Sequence, residues 1–192
     1  MGRSGESTKM RILDSLCVLV SEHPADSISA ADIAERTGIT RQTFYYHFDS
    51  PLDVYFWAVR NRIEHTLSPY RPKNRLPAAL QYFVQICNAM RSYRDLTKSF
   101  MDAYPQPILD RILAQMDPII RTDMEDMLNG LVSHDVIDFL AIIQSRGYIG
   151  IIEKWVSEGM EGDPLDTVHT LFETYPAVLS QTANERIRSR VV

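Results

Sequence analysis

Apolar residues return every three or four positions along most of the chain, and the strict alternation that marks a half-buried strand is nearly absent. Met10, Leu13, Cys17 and Val20 form one such stripe, which predicts an amphipathic helix over residues 9–22, closed by the turn "HPADS". Ser29 with Asp32 three residues later has the form of a capping box, and Gly38 stands where a left-handed residue ends a helix. The helix between them has only two turns. Thr40 can cap the next one, while Ile39 and Phe44 have the spacing of a hydrophobic staple, so two short helices meet at Gly38-Ile39-Thr40. "SPLD" opens a fourth helix with proline at its first position, and Leu52, Phe56, Val59 and Ile63 are its apolar stripe.

The segment "SPYRPKNRLP" carries three prolines and divides the chain into units 1–67 and 76–192. Beyond it the pattern predicts helices over 76–93, 94–103, 107–129, 133–158 and 164–186, punctuated by "YPQP", "NG" and "GMEGDP". The expected fold is all-α: an N-terminal three-helix head containing a helix-turn-helix, followed by a helical body.

On a helical wheel the second short helix separates its aromatics into two sets. Phe44 and Phe48 lie one turn apart on the side that must be buried, and Tyr46 points almost directly away. Gln42 and Thr43 flank the outward direction, Arg41 and Tyr45 share one shoulder, and His47 lies on the other. Such a face carries hydrogen-bonding groups suited to base edges and phosphates, on the scale of a major groove. No acid occupies the first turn of this helix, so its free amide groups and positive end are expected to favour a phosphate.

Charge works against this picture. The 192 residues carry a net charge of −5, and residues 1–65 hold seven Lys/Arg against nine Asp/Glu. A polyanion would therefore have to be held by a local patch, with Arg3, Lys9 and Arg11 near the N-terminus adding to it. Cys17 and Cys87 sit in apolar segments, as free thiols of a reducing compartment do. No apolar run approaches the roughly 20 residues of a membrane span, and the N-terminus lacks a signal-peptide core, so a cytoplasmic protein is expected. "HDVID" places His134, Asp135 and Asp138 together, but a helix start explains it and further metal ligands at the required spacing are missing. No phosphate loop, nucleophile elbow or HExxH motif is present, so neither an enzyme nor a cofactor is expected.

Residues 9–63, and within them "SAADIAERTGITRQTFYYHFDSPLDVYFW", resemble the tetracycline-repressor (TetR) family of bacterial regulators. The resemblance implies a DNA-binding head whose helix over residues 40–48 enters the major groove, and a helical body that binds a ligand and dimerises. Carried over by position, Thr40, Arg41, Gln42 and Thr43 face DNA, Tyr45 and His47 meet backbone phosphate, and Ser29 begins the supporting helix; Tyr46 joins them from the wheel. The implied partners are double-stranded operator DNA, a second copy of the chain and a small-molecule effector. Similar proteins carry a basic residue near the position of Pro51, where this chain has none. "TFYYHFDSPLDV" and "GYIGIIEKWVSEGMEGDPLDTVHTLFE" resemble a subgroup that includes regulators associated with dihydroxyacetone kinase operons.

The same resemblance implies an isologous four-helix dimer interface, here with Ile149, Ile152, Trp155, Phe172 and Tyr175. Phe139, Ile142, Ile143, Ile149, Ile152, Trp155 and Val156 make one long helix too apolar for solvent on all sides. A ligand cavity is expected among Phe83, Cys87, Met90, Met101, Tyr104 and Met116, each of which also suits an ordinary core. The competing expectation is a helical protein-interaction adaptor that retains a helix-turn-helix and binds DNA weakly.

Overall fold

The computed structural model describes residues 2–66, 77–128, 130–163, 166 and 168. Residues 67–76 of the proline-rich segment and, apart from 166 and 168, the helix expected over 164–186, with Phe172 and Tyr175, lie outside the described residues. Among the described residues there is no strand, and no helix is long and apolar enough to cross a membrane.

Helix α1 spans Gly2–Glu22, seven residues earlier than its apolar stripe announced, because a polar stretch can continue a helix without packing. One 3-10 turn, Ala25–Ser27, leads to α2 (Ala30–Thr37) and α3 (Arg41–His47). The capping box forms as expected: the Ser29 hydroxyl oxygen accepts from the Asp32 amide, and the Asp32 carboxylate accepts from the Ser29 amide at 2.8 Å. Gly38 adopts φ 71° and ψ 38°, and Ile39 donates back to the Ala34 carbonyl at 3.0 Å, which ends α2 in a left-handed turn. Helix α4 (Pro51–Thr66) starts with its Asp53 amide bonded to the Ser50 hydroxyl.

The body contains α5 (Ala78–Ser92), α6 (Arg94–Ala103), α7 (Pro105–Leu128) and α8 (His134–Ser157). Asp123 of α7 accepts from the Ala78 and Ala79 amides at 3.1 and 2.7 Å, so a side chain from another helix caps α5, which starts after a proline unable to cap with its own side chain. Helices α7 and α8 lie against each other, tied by an ion pair between Arg121 and Asp138. Proline does not break α7 at position 118; the helix runs through it, and the Thr122 hydroxyl bonds to the Pro118 carbonyl.

Head and body share one continuous apolar core; α4 packs directly on α5, and α6 lies between the two units. It packs on α1, the 3-10 turn and α4 from the head, and on α5, α7 and α8 from the body. Phe100 stacks on Tyr55 of α4 with ring centres 5.4 Å apart and planes 7° from parallel. Thr97, fully buried one turn earlier, donates its hydroxyl to the Met90 carbonyl at 2.9 Å, so a polar group in the core is satisfied. Burial pushes the Tyr55 phenol up to about 12. Ser99 accepts from the Ala25 amide at 3.1 Å, a second tie between α6 and the head.

Phe100→Ala should cost about 3–5 kcal/mol, the range for emptying a buried aromatic site. Urea denaturation measures it. A loss below about 1 kcal/mol would show that the stack contributes little and that the head is held by something else.

Candidate nucleic-acid interface

Helix α3 is seven residues long, too short to hold itself in water, so its orientation comes from its buried side. Phe44 is fully buried and Phe48 nearly so, with ring centres 6.2 Å apart, and Phe48 meets Trp57 of α4 edge to face at 5.7 Å. These rings fix the helix like a two-point mount. The opposite side is therefore committed to solvent: Tyr46 is 83% exposed and Tyr45 58%. Arg41 and Gln42 are exposed as well.

The remaining expected residues are more engaged. Thr40 accepts from the Thr43 amide at 3.1 Å, and the two hydroxyls lie 2.9 Å apart, so one of the two protons is already used between them. One amide at the start of α3 is thus satisfied by the cap expected of Thr40. The Ser29 hydroxyl donates to Asp32 at 2.6 Å. These bonds hold the Asp32 carboxyl below its ordinary value, so an anion approaching Ser29 would meet a carboxylate.

His47 lies half-buried near the first turns of α1, where a Cβ at Gly5 would stand 3.9 Å from its Cε1. Desolvation, and then the Lys9 ammonium, lower its value from the ordinary 6.5. Lys9 itself lies over the rings of Phe48 and Trp57, at 5.4 and 5.6 Å from their centres. Sequence spacing gave Lys9 only as one of several nearby cations; its seat between two aromatics nine residues apart exists only in the fold. Arg11 is not available in the same way, because it donates to the Thr37 carbonyl at 2.6 Å and closes the end of α2. Arg36 pairs with Glu22 at 3.0 Å.

The outward face of α3 thus offers a guanidinium, a carboxamide and two phenols, with His47 and Lys9 at its flank. A carboxamide can donate and accept at once along a base edge, whereas a guanidinium or phenol serves base or phosphate.

A cleft of about 320 Å³ opens between α4, α5 and α7. Its floor is apolar, with Tyr55, Phe56, Ile86 and Ile108, and its rim carries Arg60, Glu64, Tyr82, Arg111 and Gln115. Tyr82 donates to Gln115 at 2.7 Å across the rim, and Arg111 lies over the Phe56 ring at 4.4 Å. Of the six residues expected around a cavity, Met90 lines this one. Phe83, Cys87, Met101 and Met116 are instead packed in the core, Phe83 against Tyr148 at 4.9 Å, and Tyr104 meets Phe100 at 6.0 Å. Burial pushes the Cys87 thiol up, as such packing requires.

Three of the five expected interface residues are likewise covered by their own chain. Ile149, Ile152 and Trp155 are buried, Arg91 lies over the Trp155 ring at 4.8 Å, and the indole donates to the Glu161 carbonyl at 3.0 Å. Helix α8 has a second apolar side, and it is that side which faces out.

Because the folded value of His47 is depressed, the stability it contributes is present above 6.5 and is lost as pH falls through the folded value. An NMR titration of the free protein should place its midpoint below 6.5, and Lys9→Met should raise it. A midpoint above 6.5, or one indifferent to Lys9, would contradict this electrostatic description.

Residues 12–51 match the family model for bacterial regulatory proteins, tetR family, and residues 78–175, half the chain, match the model for the family's transcriptional regulator C-terminal region. No curated protein matches the sequence. Among solved structures, the chain is similar to the dihydroxyacetone kinase operon activator DhaS, with 15% identity and a TM-score of 0.63 over 90% of this chain and 96% of that one, which is a likeness of fold. Both halves of the chain and the geometry of α2 and α3 therefore agree: the protein belongs to the tetR family of bacterial regulators and is a DNA-binding regulator of transcription, not an enzyme.

Proposed function

We propose that the protein acts in the cytoplasm as a homodimer that represses transcription by occupying a pseudo-palindromic operator, and that a small molecule bound in its body releases it. The observation that carries this reading is the outward face of α3, where Arg41, Gln42, Tyr45 and Tyr46 are presented by a helix whose other side is locked by Phe44 and Phe48. Two-fold symmetry would place two such helices in major grooves about one helical turn apart. With few cations at the surface, base and phosphate contacts from neutral groups carry more of the affinity than counterion release does, and the salt dependence is shallow.

The effector reading is supported by the cleft beside α4. Its volume lies at the lower end of ligand pockets, and its apolar floor with a polar rim suits a small amphipathic molecule. Helix α4 begins four residues after α3 ends, so a ligand that displaces α4 against α5 and α7 also re-aims the reading helix. Such a ligand acts only through a difference in affinity between the two arrangements, and operator DNA must weaken it by the same factor.

Gln42→Ala should cost about 1–3 kcal/mol on the preferred operator and little on random duplex. Tyr45→Phe should weaken both alike, since a lost phosphate contact carries no sequence information. Mobility shifts of the DNA upstream of the protein's own gene, over a salt series, measure both. Equal losses on the two duplexes for Gln42→Ala would remove it from the reading set. No shift by the wild type on any duplex would favour the adaptor.

A further inference from the structure

The cleft between α4, α5 and α7 has a lining that selects its occupant. Its inner wall is aliphatic, with Ile63, Ile86, Ile108 and Ile112, and beside them Val59 and Met90. An occupant must bring an apolar body, since polar groups set against this hydrocarbon would lose their water without gaining partners. Liquid water takes about 30 Å³ per molecule, so the cavity of about 320 Å³ holds about ten waters, and a chain of about eight carbons with a polar head would displace them.

The rim fixes the sign of that head. Its charged residues are Arg60, Glu64 and Arg111, which leaves one positive charge in excess. Arg60 donates through its Nε to Glu64, one turn further along α4, at 2.8 Å, so these two charges largely offset each other. Arg111 stands in none of the ion pairs among the described residues, and it reaches from α7 to lie over the Phe56 ring of α4 at 4.4 Å. A guanidinium over a ring face can still offer its N–H fork to a carboxylate, whose two oxygens match it. The neutral groups lean the same way. Tyr82 of α5 donates to Oε1 of Gln115 on α7 at 2.7 Å, which engages the acceptor of the carboxamide and leaves it chiefly donors to offer. One uncompensated cation and a surplus of donors, set above hydrocarbon, complement a single negative charge and disfavour an ammonium.

We propose that this cleft takes a small monocarboxylate, its carboxylate held at the rim by Arg111 and the Gln115 amide and its apolar body of about eight carbons lying among the isoleucines. The inference rests on the reading of the cleft as the effector site and adds the chemical class of what fills it.

The test titrates the full chain with octanoate, 1-octanol and octylamine, which share a chain length and differ in charge, by calorimetry at neutral pH, with circular dichroism to confirm that each variant is folded. Octanoate should bind about tenfold tighter than octanol, and octylamine weakest. Arg111→Met keeps an apolar stem beside Phe56, so it should abolish the preference without weakening octanol, and Arg111→Lys should restore part of it. Glu64→Gln releases Arg60 from its acid and should strengthen octanoate alone. Equal binding of the three, a preference for octylamine, or an octanoate preference that survives Arg111→Met would overturn the ligand class and leave the cleft as a site. No binding of octanoate to the wild type would overturn it too. Octanoate bound with the expected preference, yet without effect on operator affinity, would support the ligand class and sink the release reading instead.

Discussion

The stack of Phe100 on Tyr55 is the contact on which the rest of the arrangement depends. Tyr55 sits in the second turn of α4, the helix that also supplies Trp57 to hold Phe48 and so to aim α3. The same tyrosine forms part of the floor of the cleft between α4, α5 and α7. One ring thus packs on the core of the body and lines the candidate ligand site, and its own helix supplies Trp57 to the mount of α3. Close-packed aromatic contacts of this kind do not deform continuously; they hold, or they move to another packing. A displacement of α4 is therefore felt at α3, with no chain of intermediates required.

An acidic protein can meet DNA only if its acids are placed or used elsewhere. In the head, Glu22 is paired with Arg36, Asp32 is bound within its own capping box, and Asp53 accepts from the Asp49 amide at the start of α4. Helix α3 contains no acid at all. The local balance is further set by Lys9, whose ammonium lies over Phe48 and Trp57 and, after burial, lowers the value of His47 further. A phosphate brought to that flank would favour the charged imidazole, so proton uptake and DNA contact are coupled there.

Much of the fold was legible because helix punctuation is local chemistry. Ser29 with Asp32, Gly38, Thr40 and the Phe44–Phe48 pair each act within a few residues, and a wheel is sufficient to point Tyr46 outward. The residues of the body were harder, for a physical reason. Periodicity tells which side of a helix is apolar, but not whether an apolar side is filled by the same chain, by empty space or by another chain. Phe83, Cys87 and Met116 are core, while the cleft is lined from α4, whose Tyr55, Phe56 and Ile63 look in sequence like any inward stripe. Helix α8 is the sharper case: Trp155 and Phe139 are equally apolar, yet one is covered by Arg91 and the following turn and the other stands in solvent. Lys9 and Arg11 are two residues apart and both basic, and only the fold shows that one sits on aromatic rings while the other closes α2.

The account's central claim is that α3 presents its Arg41–Tyr46 side to DNA while its phenylalanines hold it in place. Titration of isotopically labelled protein with the duplex upstream of its own gene, followed through amide and side-chain NMR signals, tests this most directly. The account predicts the largest changes at the Gln42 carboxamide, the Arg41 guanidinium and the Tyr45, Tyr46 and His47 rings, with the Phe44 ring nearly unmoved. Changes confined to the body, or to α2 and α4 with the α3 side chains silent, would contradict it.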